Sequence, residues 1–262
     1  MANKKVPELV EKIPGGKIPY SIYRFFKDNF RKLFFYIQGG SRYNTSRFYN
    51  SELRDAADGC SRETDIFDHL GTIFFFAVDA RPNLIVELGT RGGESTRALL
   101  AAASLSDAIL LSIDVEDCQQ AEIRFQERWH FIKADDIEFG RSEFTSWCAD
   151  HSVNPVIDVL FIDTSHEYSH TKQEIETWCG YLAENGVMIF HDTNMGKGMY
   201  TRNDGSMGFG WKNERGVIRA IEEFIGRRYD ENSFFSDITE KYCLLHFPNS
   251  NGLTVIKKRH DI

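Results

Sequence analysis

The sequence predicts an α/β fold in which seven strands form a mostly parallel sheet, with helices on both faces and a C-terminal antiparallel hairpin. Short apolar runs alternate with helix-like stretches, which is typical of parallel strands buried on both faces. Each of these runs ends in polar residues. The last two runs flank the turn signal NSNG rather than a helix, which indicates a hairpin. An N-terminal helical extension precedes the sheet.

The parallel part of the sheet rests on five runs: LIVEL (84–88), ILLSID (109–114), HFIKAD (130–135), VIDVLFID (156–163) and GVMIFHD (186–192). The stretch TDIFDHLGTIFFFAVDA, capped by Thr64, predicts a helix before the first of them. RGVIRAIEEFIGRRY predicts a helix after the fifth. KYCLLHFP and LTVIKKR then form the hairpin, which brings the strand count to seven.

The length of 262 residues suits one main domain, predicted at residues 64–262. Residues 1–63 form the predicted extension, in which PYSIYRFFKDNFRKLFFYIQGG has an apolar stripe opposed by basic residues. Such a helix packs on the domain, forms a contact between subunits of a homo-oligomer, or lies on an anionic membrane surface through residues 20–38. Residues 41–63 predict a linker or a loop near the substrate.

The amino-acid composition and charge indicate which partners and which cellular compartment to expect. Apolar residues make up 42% and charged residues 27% of the chain, and no apolar run is long enough to span a bilayer. Residues 1–38 contain eight Lys/Arg and three Asp/Glu, which gives them a charge of +5. Because the net charge of the chain is −8, residues 39–262 carry −13. An acidic body argues against nucleic acid as the main partner. The absence of a secretory signal pattern and five scattered cysteines predict a cytoplasmic protein with reduced thiols.

The loop after the first run reads Glu87-Leu-Gly-Thr-Arg-Gly-Gly, an ExGxxxG pattern that opens a helix. Ligands of parallel sheets bind beyond the carboxyl ends of the strands. Glycines allow a tight turn and close approach of a ligand to the backbone, and this spacing suits an amino-acid carboxylate and a ribose. Arg91 and Ser95 could hold the carboxylate, while Arg91 as a solvated charge and the loop as a plain connection are the alternatives.

Acidic residues end the next two runs. Asp114 lies 25 residues beyond Gly89, and its two oxygens suit two ribose hydroxyls. Asp135 or Asp136 could accept a hydrogen bond from an adenine amino group. Either could equally cap the following helix.

The segments VELGTRGGESTRALL, LLSIDVED, IKADD, VLFIDTSHEYSHTKQEIETW and GVMIFHDT, in this order, resemble class I S-adenosylmethionine-dependent methyltransferases with their Rossmann-like sheet. FIDTSHEY and RGVIRAIEEF resemble the group of cephalosporin-hydroxylase-like proteins and macrocin-type O-methyltransferases. The resemblance covers roughly residues 80–258. It implies that five residues surround the methionine and ribose parts of the cofactor, with Asp114 on the ribose hydroxyls: Glu87, Gly89, Thr90, Gly93 and Ser95. Glu87 would act toward the cofactor amino group, through the loop, or by tying down the backbone N–H groups of the loop.

Two further strand ends carry the candidate chemistry. Asp163 and Asp192 would face one crevice, where they and His191 are candidate ligands of a divalent cation such as Mg²⁺. Metal-dependent members of the resembling group usually have a third acidic ligand, and His191 is the departure here. His166 is the candidate general base beside Asp163, with an ordinary pKa near neutrality, and a cap of the next helix is its alternative role. His170 could assist it or be solvent-exposed.

Residues 193–213 hold five glycines and three methionines, which favours a lid over an organic acceptor or, alternatively, a disordered insertion. The predicted function is methyl transfer to a hydroxyl of a small molecule, a sugar or a secondary-metabolite or glycan intermediate, with magnesium assistance as an option. A nicotinamide-dependent oxidoreductase or epimerase is the alternative enzyme class, disfavoured because the first turn lacks GxGxxG. A non-catalytic scaffold that binds a membrane or partner is the third.

Overall fold

The computed structural model describes residues 30–31, 33–35, 37–38, 50–118 and 124–259. Within residues 50–118 and 124–259 the α-helices are α1 (Ser51–Asp58), α2 (Leu70–Asp79), α3 (Glu94–Ser106), α4 (Asp136–Ser142), α5 (Phe144–Asp150), α6 (Tyr168–Trp178) and α7 (Gly216–Ile225). Short 3₁₀ turns span Ile66–His69, Gln126–Arg128 and Cys179–Tyr181.

The strands are β1 (Leu84–Leu88), β2 (Ile109–Asp114), β3 (Trp129–Lys133), β4 (Ile157–Ile162), β5 (Leu182–His191), β6 (Met199–Thr201), β7 (Met207–Phe209), β8 (Phe235–Ile238), β9 (Tyr242–Phe247) and β10 (Leu253–Lys258). The main sheet has the order β3-β2-β1-β4-β5-β10-β9-β8. The first five strands are parallel, and β10 is antiparallel to both β5 and β9. The predicted fold class is therefore confirmed, including the C-terminal hairpin.

The sheet has eight strands rather than the predicted seven. The additional strand is β8, which pairs antiparallel with β9 at the edge of the sheet. Its sequence FSDI is short, and its residues alternate between half-buried and exposed. A four-residue edge strand with this weak apolar signal is hard to distinguish from a loop in sequence.

The strand register places the predicted site residues along one edge. Leu88 pairs with both Ile113 and Ile162, and Ile162 pairs with Phe190. The residues that follow these four are Gly89, Asp114, Asp163 and His191. Because the strands are parallel, these residues lie at the same end of the sheet.

Two apolar layers enclose the sheet. Leu53, Leu70 and Leu99 of α1, α2 and α3 pack in one buried cluster with Ile85. The helices that follow β3 supply the other cluster, which includes Val86. Adjacent residues of β1 thus face opposite layers, as a strand requires, and all five residues of β1 are buried.

The described part of the extension packs on the small β6–β7 ribbon. Gln38 exchanges two hydrogen bonds with the backbone of Met207, at 3.3 and 2.6 Å, and the rings of Phe34 and Phe209 lie 4.8 Å apart. Residues 20–29 of the proposed membrane contact lie outside the described residues. Within residues 41–63, α1 buries Leu53 and Ala57 in the core. Among the described helices, none is long and apolar enough to cross a membrane.

Candidate active site

The glycine loop after β1 is held tightly against the end of β4. Gly89 has φ +86°, and a Cβ built on it would lie 2.2 Å from the carbonyl oxygen of Asp163. Its N–H donates to the carbonyl of Ile113 at 2.9 Å. Gly93, with φ 77°, is the N-cap residue that precedes α3. A side chain at position 89 would therefore suffer both an unfavourable φ and a collision.

Asp114 fixes the same loop from the end of β2. Its Oδ2 accepts hydrogen bonds from the N–H groups of Thr90 at 2.8 Å and Arg91 at 3.1 Å, and its Oδ1 accepts from Glu116 at 2.8 Å. A carboxylate has about four lone-pair sites, so these three bonds leave room for a hydroxyl donor. Asp114 thus shapes the loop in addition to its proposed contact with the ribose.

Replacing Asp114 by alanine is expected to weaken S-adenosylhomocysteine binding by at least about tenfold, because it removes a ribose acceptor and frees two loop N–H groups. Asp114→Asn keeps one carbonyl oxygen and should lose less affinity than alanine. Calorimetric titration of the three proteins checks the order. Equal affinity of wild type and Asp114→Ala would remove Asp114 from the binding site.

The buried side chain of Glu87 links β1 to β2 and α3 through hydrogen bonds. Its carboxylate accepts hydrogen bonds from three hydroxyls: Ser95 at 2.7 Å, Thr96 at 2.8 Å and Ser112 at 2.6 Å. Burial raises the pKa of Glu87 to about 7, although the three hydroxyls act to lower it. The described contacts are side-chain hydroxyls rather than the backbone N–H groups expected from the sequence. Glu87 and Ser95 therefore position the start of α3.

The raised pKa of Glu87 predicts a pH-dependent stability difference for Glu87→Gln. Below pH 4.5 the Glu87 carboxyl is protonated in both the folded and the unfolded wild-type protein. Between pH 4.5 and about 7 it is ionised in the unfolded protein but still protonated in the folded protein. The free energy of unfolding of the wild-type protein therefore falls by up to about 3 kcal/mol as the pH rises through this range, whereas that of Glu87→Gln does not. Denaturant unfolding should show the stability of Glu87→Gln rising relative to wild type between these pH limits. Parallel curves would contradict the buried-carboxyl account.

Two carboxylates and two imidazoles meet beyond β4 and β5. His166 Nε2 lies 2.8 Å from Asp192 Oδ2 and 3.1 Å from Asp163 Oδ1. His191 Nδ1 lies 3.3 Å from the same Asp163 oxygen and 3.5 Å from Asp192 Oδ1. All four side chains are mostly buried, so their charges interact strongly. The structure thus brings together the four residues that the sequence assigned to catalysis and metal binding.

The charges of this cluster are set by mutual pairing. Burial acts to lower the pKa of His166, but Asp192 and Asp163 hold it well above its ordinary value. The same carboxylates outweigh burial at His191 and raise its pKa to about 9. Burial acts to raise the pKa of Asp163, and His191 and His166 hold it well below its usual range. The expectation of an ordinary pKa for His166 is wrong, because the two carboxylates that face its ring raise the pKa.

Strained backbone accompanies these residues. Arg91, His166 and Asp192 have φ values of 45°, 61° and 57°, in the left-handed region that non-glycine residues rarely adopt. Such conformations are retained where the surrounding structure enforces them, and they cluster at functional sites.

Asp65 is a member of this neighbourhood that the sequence analysis missed. It accepts a hydrogen bond from Asn251 at 2.6 Å and from the N–H of Ile66 at 3.1 Å. Burial acts to raise its pKa, and the proximity of His191 lowers it. Asp65 lies about a hundred residues before Asp163, beside the predicted cap Thr64, so no local pattern connects it with the strand ends.

Asp135 and Asp136, which follow β3, make different contacts. Asp135 caps α4 by accepting from the N–H of Glu138 at 2.9 Å, which is the alternative to an adenine contact. Asp136 is buried and lies 3.2 Å from His170 Nε2. His170 therefore faces α4 rather than His166, and an adenine contact of either aspartate stays a prediction.

Residues 193–213 contain the β6–β7 ribbon rather than a structureless loop. Both ends of the segment meet Asp192: Thr193 follows it in the chain, and Asn213 donates to its carbonyl at 3.3 Å. Buried Arg202 anchors the ribbon through hydrogen bonds to the carbonyls of Glu63 at 2.5 Å and Met207 at 2.7 Å. This geometry ties the predicted lid to the cluster.

A cation site is compatible with the cluster. Donor atoms of Asp163, His191 and Asp192 all lie within 4.8 Å of one another. Among the described residues, buried Asp192 Oδ1 and His191 Nε2 have no hydrogen-bond partner. The donor set of two carboxylates and one imidazole fits a divalent ion and is less specific for Mg²⁺ than an all-oxygen set.

Part of the sequence is similar to known proteins. Residues 86–193 match the model of a family described as a methyltransferase domain. The uncharacterised protein y4gI of Sinorhizobium fredii is 29% identical over 124 residues, which are 44% of this chain and 14% of that protein. The chain thus spans a small part of that relative's length.

Solved structures show the same fold at low identity. The O-methyltransferase TomG of Streptomyces achromogenes, in complex with S-adenosylmethionine, superposes with a TM-score of 0.54 at 14% identity, over 89% of this chain and 99% of that one. A Podospora anserina methyltransferase with S-adenosylhomocysteine bound gives 0.51 at 14% identity, over 94% and 100%. MycE of the mycinamycin pathway, in complex with Mg, S-adenosylhomocysteine and mycinamycin VI, gives 0.51 at 14%, over 81% of this chain and 56% of that one. The chain therefore has the fold of these methyltransferases, and its residues 86–193 are similar to the methyltransferase-domain family.

Proposed function

We propose that the chain transfers the methyl group of S-adenosylmethionine to a hydroxyl oxygen of a small organic acceptor. The observation that carries this proposal is the cluster of Asp163, His166, His191 and Asp192 at the same sheet edge as the glycine loop. A sulfonium methyl needs an aligned nucleophile and a group that takes the proton from it. The cluster supplies proton-accepting groups beside the place where the cofactor would lie.

The cofactor would lie across the loop after β1. Gly89 and Gly93 allow close approach to the backbone, and Asp114 offers its remaining lone pair to a ribose hydroxyl. Thr90 and Arg91 border the methionine portion, with the carboxylate near Arg91. Glu87 and Ser95 hold the helix start in position from beneath the loop.

His166 is proposed as the base that accepts the hydroxyl proton, with Asp163 and Asp192 holding its ring. The two carboxylates hold the pKa of His166 well above its ordinary value. The cofactor brings an ammonium and a sulfonium, and nearby positive charge lowers the pKa of an imidazole. In the reaction, the oxygen–carbon bond forms, the sulfur–carbon bond breaks with its electrons left on sulfur, and the hydroxyl proton moves to His166. The products are a methyl ether and S-adenosylhomocysteine.

Asp163, Asp192 and His191 would hold a divalent cation, which when bound lowers the pKa of a coordinated hydroxyl and orients it. The chain's own residues supply the rest: Asn213 donates to the backbone carbonyl of Asp192, and burial keeps water from the Asp192 side chain. The unpartnered oxygen of Asp192 supports this assignment. Metal removal with a chelator would then lower turnover, and Mg²⁺ or Mn²⁺ would restore it.

The acceptor class is proposed as a hydroxylated sugar or a secondary-metabolite or glycan intermediate. Residues 193–213 present Met199 and Trp211 exposed, and these side chains suit an organic scaffold rather than a highly charged one. The natural-product enzymes TomG and MycE share the fold. The acidic body of the chain also favours neutral or cationic acceptors over phosphorylated ones.

The test is incubation of the full chain with methyl-labelled S-adenosylmethionine and a panel of sugars, glycosides and phenols, read by mass spectrometry. The proposal predicts label in an alkali-resistant methyl ether that disappears with His166→Gln. Label found only on nitrogen or as an alkali-labile methyl ester would contradict hydroxyl transfer while leaving the methyltransferase assignment in place.

A further inference from the structure

A second cluster of potential ligands lies outside the site described above, between α4 and α6. His170 Nε2 lies 3.2 Å from Asp136 Oδ1 and 3.5 Å from Glu174 Oε1. Thr164 donates a hydrogen bond to the same Glu174 oxygen at 2.6 Å. One imidazole and two carboxylates thus converge from two helices, and the hydroxyl of Thr164, the residue after Asp163, joins them.

The cluster has unused coordinating capacity. Asp136 Oδ2 and Glu174 Oε2 are buried and have no hydrogen-bond partner among the described residues. Glu174 is fully buried and Asp136 is 5% exposed. A buried carboxylate oxygen without a partner is costly, so its retention points to a ligand that satisfies it. These two oxygens are the observation that distinguishes the cluster from an ordinary ion pair.

We propose that Asp136, His170 and Glu174 bind a divalent transition-metal ion, of which zinc is the type case. Zinc–nitrogen and zinc–oxygen bonds of about 2.0–2.1 Å in a tetrahedron separate ligand atoms by roughly 3.3–3.4 Å. The measured spacings of 3.2 and 3.5 Å fall on either side of this value. An ion can therefore replace the proton that now joins these groups without a large movement of either helix.

The cluster is buried except at the ring of His170. His170 is 25% exposed and provides the entry path from solvent. A water molecule would complete four ligands.

The packing of the two helices fixes the geometry. A Cβ on Gly140, one turn after Asp136, would lie 2.8 Å from atoms of Thr177 and Trp178, so glycine lets α4 approach α6 closely. The bound ion would fasten the start of α4 to the middle of α6, four residues beyond His166. Its role is structural: it holds the segment that carries His166 against the loop after β3.

The experiment is a calorimetric zinc titration of the chelator-treated full chain in an Asp192→Asn background, which weakens the first candidate metal site. We expect one zinc per chain. His170→Gln or Glu174→Gln, added singly, should weaken it by more than about 100-fold, since even residues behind metal ligands contribute 10–100-fold. Glu138→Gln is the matched control, because Glu138 is exposed on the same helix as Asp136 and lies outside the cluster.

Zinc binding that survives both substitutions, or a folded background protein that binds no zinc, overturns the proposal. If a variant fails to fold, X-ray absorption at the zinc edge of the background protein decides instead. A first shell with one imidazole nitrogen and carboxylate oxygens supports the site, and a shell with sulfur or two imidazoles refutes it.

Discussion

Replacing Asp192 by asparagine is expected to lower turnover by at least about 100-fold, because it removes the carboxylate closest to the proposed base. Asp192 Oδ2 lies 2.8 Å from His166 Nε2, and its side chain is 3% exposed. The amide cannot stabilise the imidazolium that forms when His166 takes the acceptor proton. It also loses one negative ligand of the proposed cation.

The measurement is steady-state kinetics on an identified acceptor, combined with a calorimetric titration with S-adenosylhomocysteine. Turnover should fall while cofactor affinity stays within about threefold, since Asp192 would contact the acceptor side rather than the nucleoside. Asp150→Asn is the matched control: it makes the same change at an exposed residue at the end of α5. Full turnover of Asp192→Asn would remove the carboxylate–histidine cluster from the mechanism.

Replacing Gly89 by alanine is expected to abolish detectable cofactor binding and to destabilise the chain by about 2–4 kcal/mol. The new Cβ would have φ +86° and lie 2.2 Å from the carbonyl oxygen of Asp163. Relief requires the loop after β1 to move away from β4. That movement displaces both the Asp114-bound N–H groups and Asp163 itself.

Gly226 provides the control for this substitution. It also has a positive φ, +76°, at the end of α7, but nothing lies within 4 Å of a Cβ built there. Gly226→Ala should therefore cost only the conformational strain, about 1 kcal/mol, and leave cofactor binding unchanged. Denaturant unfolding and calorimetry of both variants measure the difference. If the two variants lost the same free energy of unfolding, the close contact with the Asp163 carbonyl would not be what excludes a side chain at position 89.

The regular elements were predictable because their signal is local. The five parallel strands, α7 and the hairpin each carry an apolar run or a turn signal within a few residues. The rule that ligands meet the carboxyl ends of parallel strands then placed Asp114, Asp163 and Asp192 at one edge, and the register confirms that placement.

The features that were missed depend on contacts between distant segments. Asp65 acts electrostatically on His191 from a segment before the first strand, and Asp136 contacts His170 across two helices that Gly140 lets approach closely. The raised pKa of His166 requires both carboxylates at measured distances. Edge strand β8 is too short and too polar to stand out from a loop. Sequence periodicity contains none of this information.

The central claim, that this edge of the sheet binds S-adenosylmethionine, is tested most directly by calorimetric titration of the full chain with S-adenosylhomocysteine and, in parallel, with NAD. The account predicts one nucleoside per chain with micromolar affinity, loss of binding in Gly89→Ala but not in Gly226→Ala, and no binding of NAD. Binding of NAD in place of S-adenosylhomocysteine, or of neither to the folded chain, would contradict it.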